Sequence, residues 1–196
     1  MKKILIIDAC PRKEASRTLL LLDRAEKTLR DLHPDWTFEK VILPEEGMQY
    51  LNTDSLAERD ALLAEKQFDH PRFRYAHQFQ EADGIIVASP FWDLSFPAML
   101  KVYIENVSVD QLTFYCDEEG LHGMCKADWM LHLSTRGGLW EGDWLQDTAY
   151  LKQMCSFFGI KNYYSVSANG IDIFGLPADE ILEKALEKTE EACRNL

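Results

Sequence analysis

One loop carries the most distinctive side chains of this sequence. Its residues are Pro90, Phe91, Trp92, Asp93 and Leu94. The loop follows a short apolar run and precedes an amphipathic stretch, an order typical of strand, loop and helix. In open α/β sheets, ligands bind outside the carboxyl ends of the strands. Two aromatic rings beside polar groups suit a flat, partly apolar ligand. The alternative is that the aromatic side chains only cover the hydrophobic core.

A second polar loop lies between the first predicted strand and the first predicted helix. Cys10 ends that strand, and Ser16, Arg17 and Thr18 lie where the helix begins. Free backbone N–H groups at a helix N-terminus bind phosphate, and nearby hydroxyls and a cation favour the same ligand. The alternative is that Ser16 is an ordinary helix cap. The sequence contains neither GxxxxGK nor GxGxxG in this loop, so the usual triphosphate and dinucleotide motifs are absent.

A third loop combines hydroxyl, cationic and glycine residues after a later strand. Its candidate residues are Thr135, Arg136, Gly137 and Gly138. Paired glycines let a backbone approach a ligand closely and present its N–H groups. A tight turn after a strand is the alternative explanation.

The elements that position these loops alternate along the chain. Strands are predicted near 3–8, 37–43, 84–89, 129–134 and 162–168, and helices near 17–32, 55–67, 97–108, 144–158 and 178–194. This alternation predicts a parallel sheet. We expect the strand order 2-1-3-4-5, which brings the three loops together at the switch point between the first and third strands. The less regular segments 44–83 and 109–127 are expected to be surface excursions from a single domain, 1–196.

Composition narrows the possible functions. The formal net charge of −12 argues against a nucleic-acid or anionic-membrane surface. We find no signal peptide and no apolar run of membrane-spanning length, so the sequence predicts a cytoplasmic protein. The five cysteines form no CxxC pair and no zinc-ligand spacing, which favours reduced thiols and no metal site. No GxSxG motif supports a hydrolase, and His132 is expected to be a hydrogen-bonded structural residue.

The three loops together would supply a phosphate cradle, an aromatic wall and a glycine-rich wall. That combination suits a mononucleotide with a flat ring, such as FMN. The chain resembles the flavodoxin-like NAD(P)H:quinone oxidoreductases and FMN-dependent NADH-azoreductases. The resemblance is carried by Ser16-x-Thr18, by Pro90-Phe91-Trp92-Asp93-Leu94 leading into Phe96-Pro97-x-x-Leu100-Lys101, and by Ser134-Thr135-Arg136-Gly137-Gly138.

The resemblance implies a flavodoxin-like three-layer α/β/α sandwich, commonly a homodimer. Such proteins bind FMN or FAD, of which the short chain favours FMN. They accept a hydride from NADH or NADPH and pass two electrons to quinones, azo dyes or similar flat acceptors. The flavin carries the chemistry, so no catalytic side chain is expected. The implied cofactor-binding residues are Cys10, Ser16, Arg17, Thr18, Pro90, Phe91, Trp92, Asp93, Leu94, Thr135, Arg136, Gly137 and Gly138. Phe114 and His122 are the candidate substrate contacts.

Two other functions stay open at this point. One is a flavodoxin-type electron carrier without its own NAD(P)H turnover, for which the acidic charge would suit basic redox partners. The other is an interaction protein that kept the scaffold without the flavin. The sequence also departs from its apparent relatives at Asp8, which would repel a phosphate, and at Asp93, where azoreductases often have Asn.

Overall fold

A computed structural model describes all residues, 1–196, and contains seven strands. They are β1 (Lys3–Asp8), β2 (Thr37–Ile42), β3 (Gly84–Ala88), β4 (Phe114–Asp117), β5 (Gly120–Gly123), β6 (Trp129–Arg136) and β7 (Asn162–Asn169). Five of them form a parallel sheet with the order β2-β1-β3-β6-β7, and β4 pairs with β5 in a separate antiparallel hairpin. If only the five strands of the parallel sheet are numbered and the two hairpin strands are left out, this is the predicted order 2-1-3-4-5.

Seven helices accompany the sheet. They are α1 (Arg17–Leu32), α2 (Leu43–Glu46), α3 (Thr53–Ala64), α4 (Arg74–Glu81), α5 (Ala98–Val107), α6 (Gln146–Phe158) and α7 (Ala178–Arg194). The predicted helices correspond to α1, α3, α5, α6 and α7, with ends that differ by a few residues. No helix has both the length and the apolar character needed to span a bilayer.

The apolar strands explain why helices cover both faces of the sheet. Successive residues of a strand point to opposite faces. Ile4 and Ile6 therefore pack against α1 and α7, whereas Leu5 and Ile7 pack in a second cluster with residues of α4, α5 and α6. All four side chains are almost completely buried. A strand buried on both faces reads as a continuous apolar run, as β1 and β3 do.

The two irregular segments contain more regular structure than the sequence predicts. Residues 44–83 include α4, which is anchored by the buried side chains of Tyr75 and Phe79. The hairpin lies within 109–127, and Gly123 contacts the end of α6 so closely that a Cβ would lie 2.0 Å from the Phe158 carbonyl carbon. α4 and the hairpin are stabilised by contacts with distant parts of the chain, and the local sequence pattern does not indicate such contacts.

Candidate functional site

A cleft of about 290 Å³ lies at the carboxyl edge of the sheet. Its lining residues are Arg12, Ala15, Ser16, Arg17, Pro90, Phe91, Trp92, Thr135, Gly137, Ile171 and Asp172. They come from the end of β6, the start of α1 and the loops after β1, β3, β6 and β7. The structure thus brings together the three loops singled out in the sequence and adds a fourth.

The loop after β1 supplies polar groups that the fold does not use. Ser16 occupies the N-cap position of α1, yet its hydroxyl makes no capping hydrogen bond. By contrast, Asn52 caps α3 through a hydrogen bond from the Ser55 N–H. Arg12 lines the cleft, and its guanidinium forms no hydrogen bond or ion pair within the chain; only its backbone carbonyl accepts a hydrogen bond, from the Ala15 N–H. An uncapped helix end beside an unpaired cation is well suited to an anionic group.

Arg17 is held by the loop after β7. Its guanidinium donates to Asp172 Oδ1 at 2.7 Å and to the Ile171 carbonyl at 3.3 Å. Gly137 packs against the same carboxylate, where a Cβ would lie 2.5 Å from Asp172 Oδ2. A side chain at this position would therefore push the Asp172 carboxylate aside.

The aromatic loop is shaped by a strained turn. Trp92 and Ser95 exchange two backbone hydrogen bonds of 3.0 and 2.8 Å. Between them, Asp93 and Leu94 have φ angles of 49° and 67°, in the left-handed region. Neither residue is glycine, so the turn costs about 1–3 kcal/mol per residue, a strain often found at ligand sites. The turn leaves Trp92 40% exposed at the cleft, whereas Asp93 and Leu94 do not line it.

Arg136 lies behind the aromatic wall instead of lining the cleft. Its guanidinium carbon is 5.3 Å from the centre of the Phe91 ring. The side chain is buried and pairs with Asp147, with an Nη2–Oδ2 distance of 3.0 Å. It also donates to Thr148 and Ser167. These contacts place the guanidinium against the Phe91 ring, and a contact between Arg136 and the polar edge of a ligand stays a prediction.

Other predicted residues join the loops to one another. Thr18 and Thr135, both buried, share a 2.7 Å hydrogen bond between their hydroxyl oxygens.

The Cys10 thiol is buried and contacts the Ala88 carbonyl at 3.6 Å. Burial raises the pKa of Cys10 to about 12, so its thiol stays protonated and unreactive near neutrality. Asp8 accepts a hydrogen bond from the Cys10 N–H and pairs with no cation of its loop.

Gly138 lies in the loop after β6, where it contacts Trp140. A Cβ on Gly138 would lie 2.8 Å from Trp140 Nε1, so the absence of a side chain lets the indole ring lie against the backbone. Gly138 itself does not line the cleft.

The two candidate substrate residues lie on the hairpin, away from this cleft within the chain. The Phe114 ring packs against Phe157 with centres 4.6 Å apart. His122 Nε2 lies 2.8 Å from Asp117 Oδ1, and its ring stacks on Tyr115. The hydrogen bond from His122 is the main cause that lowers the pKa of Asp117. A substrate role for Phe114 and His122 stays a prediction.

His132 is a structural residue, as expected. Its Nε2 lies 3.0 Å from Ser89 Oγ and its Nδ1 lies 3.0 Å from the Tyr163 hydroxyl. Burial lowers the pKa of His132 to about 4, so the ring is neutral at physiological pH.

Sequence reasoning missed the loop after β7 and its Asp172. The signal was available, since the carboxyl end of β7 lies at the same edge as those of β1, β3 and β6. Arg12 also lines the cleft, although it is not among the cofactor-binding residues predicted from the sequence. Nothing in the sequence distinguishes Arg12 from Arg17 as the unpaired cation.

A parallel sheet with a polar and aromatic cleft at its β1–β3 switch point defines a flavodoxin-like protein. A family model described as "Flavodoxin-like fold" matches residues 2–193. The chain belongs to this family.

Named relatives cover the chain from end to end. An FMN-dependent NADH:quinone oxidoreductase of Clostridium beijerinckii is 34% identical over 197 residues, covering 100% of both chains. A protein of the same name from Caldicellulosiruptor saccharolyticus is 31% identical over 199 residues, covering 99% of each chain.

Solved structures agree with the fold. An azoreductase from Bacillus anthracis str. Sterne superimposes with a TM-score of 0.89 at 26% identity, covering 100% of both chains. An FMN-dependent NADH-azoreductase from Bacillus anthracis str. Ames Ancestor, solved in complex with FMN, gives a TM-score of 0.87 at 24% identity, covering 100% of this chain and 99% of that one.

Proposed function

We propose that this protein is an FMN-dependent oxidoreductase that takes a hydride from NADH or NADPH and passes two electrons to a quinone, azo compound or similar flat acceptor. The observation that carries the proposal is the cleft, which places an uncapped helix end and the unpaired Arg12 opposite the Phe91 and Trp92 rings. The full-length relatives named for this activity support it.

The cleft residues fit FMN. Ser16, Arg12 and the first N–H groups of α1 would hold its phosphate, because Ser16 does not cap the helix and the Arg12 guanidinium has no counter-charge in the chain. Phe91 and Trp92 would line the ring system, and Gly137 would let the backbone approach it. The volume, about 290 Å³, is at the small end of ligand pockets and suits a cofactor that stays open to a second ligand on one side.

FMN, when bound, supplies the transfer of a hydride and of two electrons. The protein then needs to position the cofactor and its partners, not to provide a nucleophile. Arg136 and Asp147 fix Phe91, and the Arg17–Asp172 pair fixes the loops on the phosphate side. Donor and acceptor would use the same open face in turn, which predicts ping-pong kinetics.

We also propose how the protein is organised and where it acts. Residues 1–196 act as one three-layer α/β/α domain, two copies associate as a homodimer, and the enzyme works in the cytoplasm on small molecules. Phe114 and His122 lie outside the cleft of their own chain and would reach acceptor only across such a dimer.

The test begins with the visible spectrum of the purified protein and chromatography of the released flavin. We expect FMN and, with a quinone present, rapid oxidation of NADH. A protein that binds FMN but does not oxidise NADH with any quinone would instead be an electron carrier. Protein that stays colourless after incubation with FMN, without a change in flavin fluorescence, would refute the proposal.

Ser16→Ala and Arg12→Gln test the phosphate side. Each variant should weaken FMN binding about ten- to 100-fold, from the loss of one hydrogen bond to a charged group. Lys13→Gln is the matched control, because Lys13 lies in the same loop but pairs with Glu45.

A further inference from the structure

A row of aromatic rings leads out of the cleft. The Phe91 and Trp140 ring centres are 6.0 Å apart, and those of Trp140 and Trp144 are 5.9 Å apart. Phe91 lines the cleft, whereas Trp144 is 57% exposed. The row therefore joins the proposed cofactor site to the open surface.

The fold holds this row in place. Phe91 lies over the buried Arg136 guanidinium, and the Trp140 ring rests against the backbone of Gly138. Trp144 ends a short 3-10 turn, Gly142–Trp144, directly before α6. Rings that are already ordered lose little entropy when a ligand stacks on them.

The surroundings of the row indicate which ligands it would accept. Leu139 is 64% exposed beside Trp140, so the surface is apolar as well as aromatic. The two acidic residues of this loop, Glu141 and Asp143, are exposed and form no ion pair. Uncompensated carboxylates next to an apolar surface repel anions and leave neutral ligands unaffected.

We propose that Phe91, Trp140 and Trp144 form an acceptor platform that favours uncharged flat molecules of two or more rings over single-ring and sulfonated ones. The inference rests on the proposed oxidoreductase function and deepens it. An acceptor of one ring would occupy the cleft alone, whereas a longer one would also contact the indole rings. Trp140 is inclined by 43° to Phe91 and by 45° to Trp144, so a flat acceptor would meet successive rings at their faces and edges.

The kinetic test compares Trp144→Leu with Trp36→Leu in the FMN-loaded enzyme. Trp36 is the matched control, because it stacks on His33 and does not line the cleft. We expect Trp144→Leu to raise KM for 9,10-phenanthrenequinone about three- to tenfold and KM for 1,4-benzoquinone less than twofold, from the loss of one stacking contact. Trp36→Leu should change neither. Equal KM values for wild type and Trp144→Leu with both quinones would overturn the platform and leave the enzyme function standing.

Equilibrium binding gives a readout that needs no turnover. Phenanthrenequinone should quench the tryptophan emission of the FMN-free protein, with a dissociation constant about three- to tenfold higher in Trp144→Leu. This binding would survive even if the protein failed to bind FMN, so the two proposals fail separately. If acrylamide cannot quench Trp144 in the wild-type protein, a second copy covers the row and the platform is refuted.

Charge selection is tested by Glu141→Gln combined with Asp143→Asn. The double variant should lower KM for anthraquinone-2-sulfonate about twofold, an effect that salt removes, and leave KM for phenanthrenequinone unchanged. Identical values for both quinones would contradict the proposed discrimination against anions.

Discussion

Breaking the buried ion pair between Arg136 and Asp147 should strongly destabilise the protein. Their side chains are only 3% and 1% exposed, and Arg136 Nη2 lies 3.0 and 3.3 Å from the two carboxylate oxygens. Asp147→Ala would leave a guanidinium without a counter-charge inside the protein. Breaking a buried pair in this way costs about 3–5 kcal/mol. The variant also loses the 2.7 Å hydrogen bond from the Thr148 N–H to Asp147 Oδ1 at the start of α6.

The predicted loss can be measured by thermal and urea unfolding. For a domain of this size, 1 kcal/mol corresponds to about 2–4 °C, so Tm should fall by roughly 6–20 °C. Asp143→Ala is the control, since this carboxylate is exposed, lies in the same region and has no ion pair. FMN affinity should fall in Asp147→Ala more than in Asp143→Ala, because Arg136 supports the Phe91 ring.

A double variant separates the buried charge from the local structure. Arg136→Met with Asp147→Leu removes both charges and should be more stable than Asp147→Ala alone. The reasoning fails if Asp147→Ala unfolds within about 1 kcal/mol of wild type. It also fails if the double variant is the less stable of the two.

Three further predictions concern single groups. Burial lowers the pKa of His132 to about 4, from 6.5 for an exposed histidine. The unfolded protein therefore binds this proton first, and the free energy of unfolding falls as pH drops from 6.5 toward 4. His132→Gln should therefore reduce the drop in the urea midpoint between pH 7 and pH 5; an unchanged drop would exclude His132 as its source. In the native protein, a thiol reagent at pH 8 should modify the exposed Cys116 quickly and the buried Cys10 only after unfolding, as mass spectrometry would detect. Asp93→Asn should raise the midpoint potential of bound FMN by roughly 5–20 mV, because an exposed carboxylate opposes negative charge on the reduced cofactor; an unchanged potential would mean that Asp93 faces away from the ring.

The sheet could be predicted because its strands are recognisable from short stretches of sequence. β1 and β3 are short apolar runs, and the strand order follows from general rules for parallel sheets. The hairpin could not be predicted in this way. Its strands lack a clear alternation, and Gly123 fits against the end of α6 through a contact that only the folded protein makes.

The sequence indicated which loops form the cleft, but not which of their side chains point into it. Ser16 and the first three residues of the aromatic loop, 90–92, line the cleft, whereas Asp93 and Leu94 do not. Arg136 does not, because its partner Asp147 lies 11 residues later on another element. Arg17 likewise pairs with a residue 155 positions away. Such pairings decide which cations remain available, and they are not visible in the spacing of motifs.

The Arg17–Asp172 pair has a consequence for how the protein acquires its binding site during folding. Arg17 begins α1, yet its partner follows β7, and the Thr18–Thr135 hydrogen bond spans 117 positions. Contacts between such distant segments form late, because closing a long loop is entropically costly. A partly folded chain that already contains β1 and α1 would therefore lack a formed cleft. Cofactor would be captured after the sheet is complete, and would add its binding energy only to the native state.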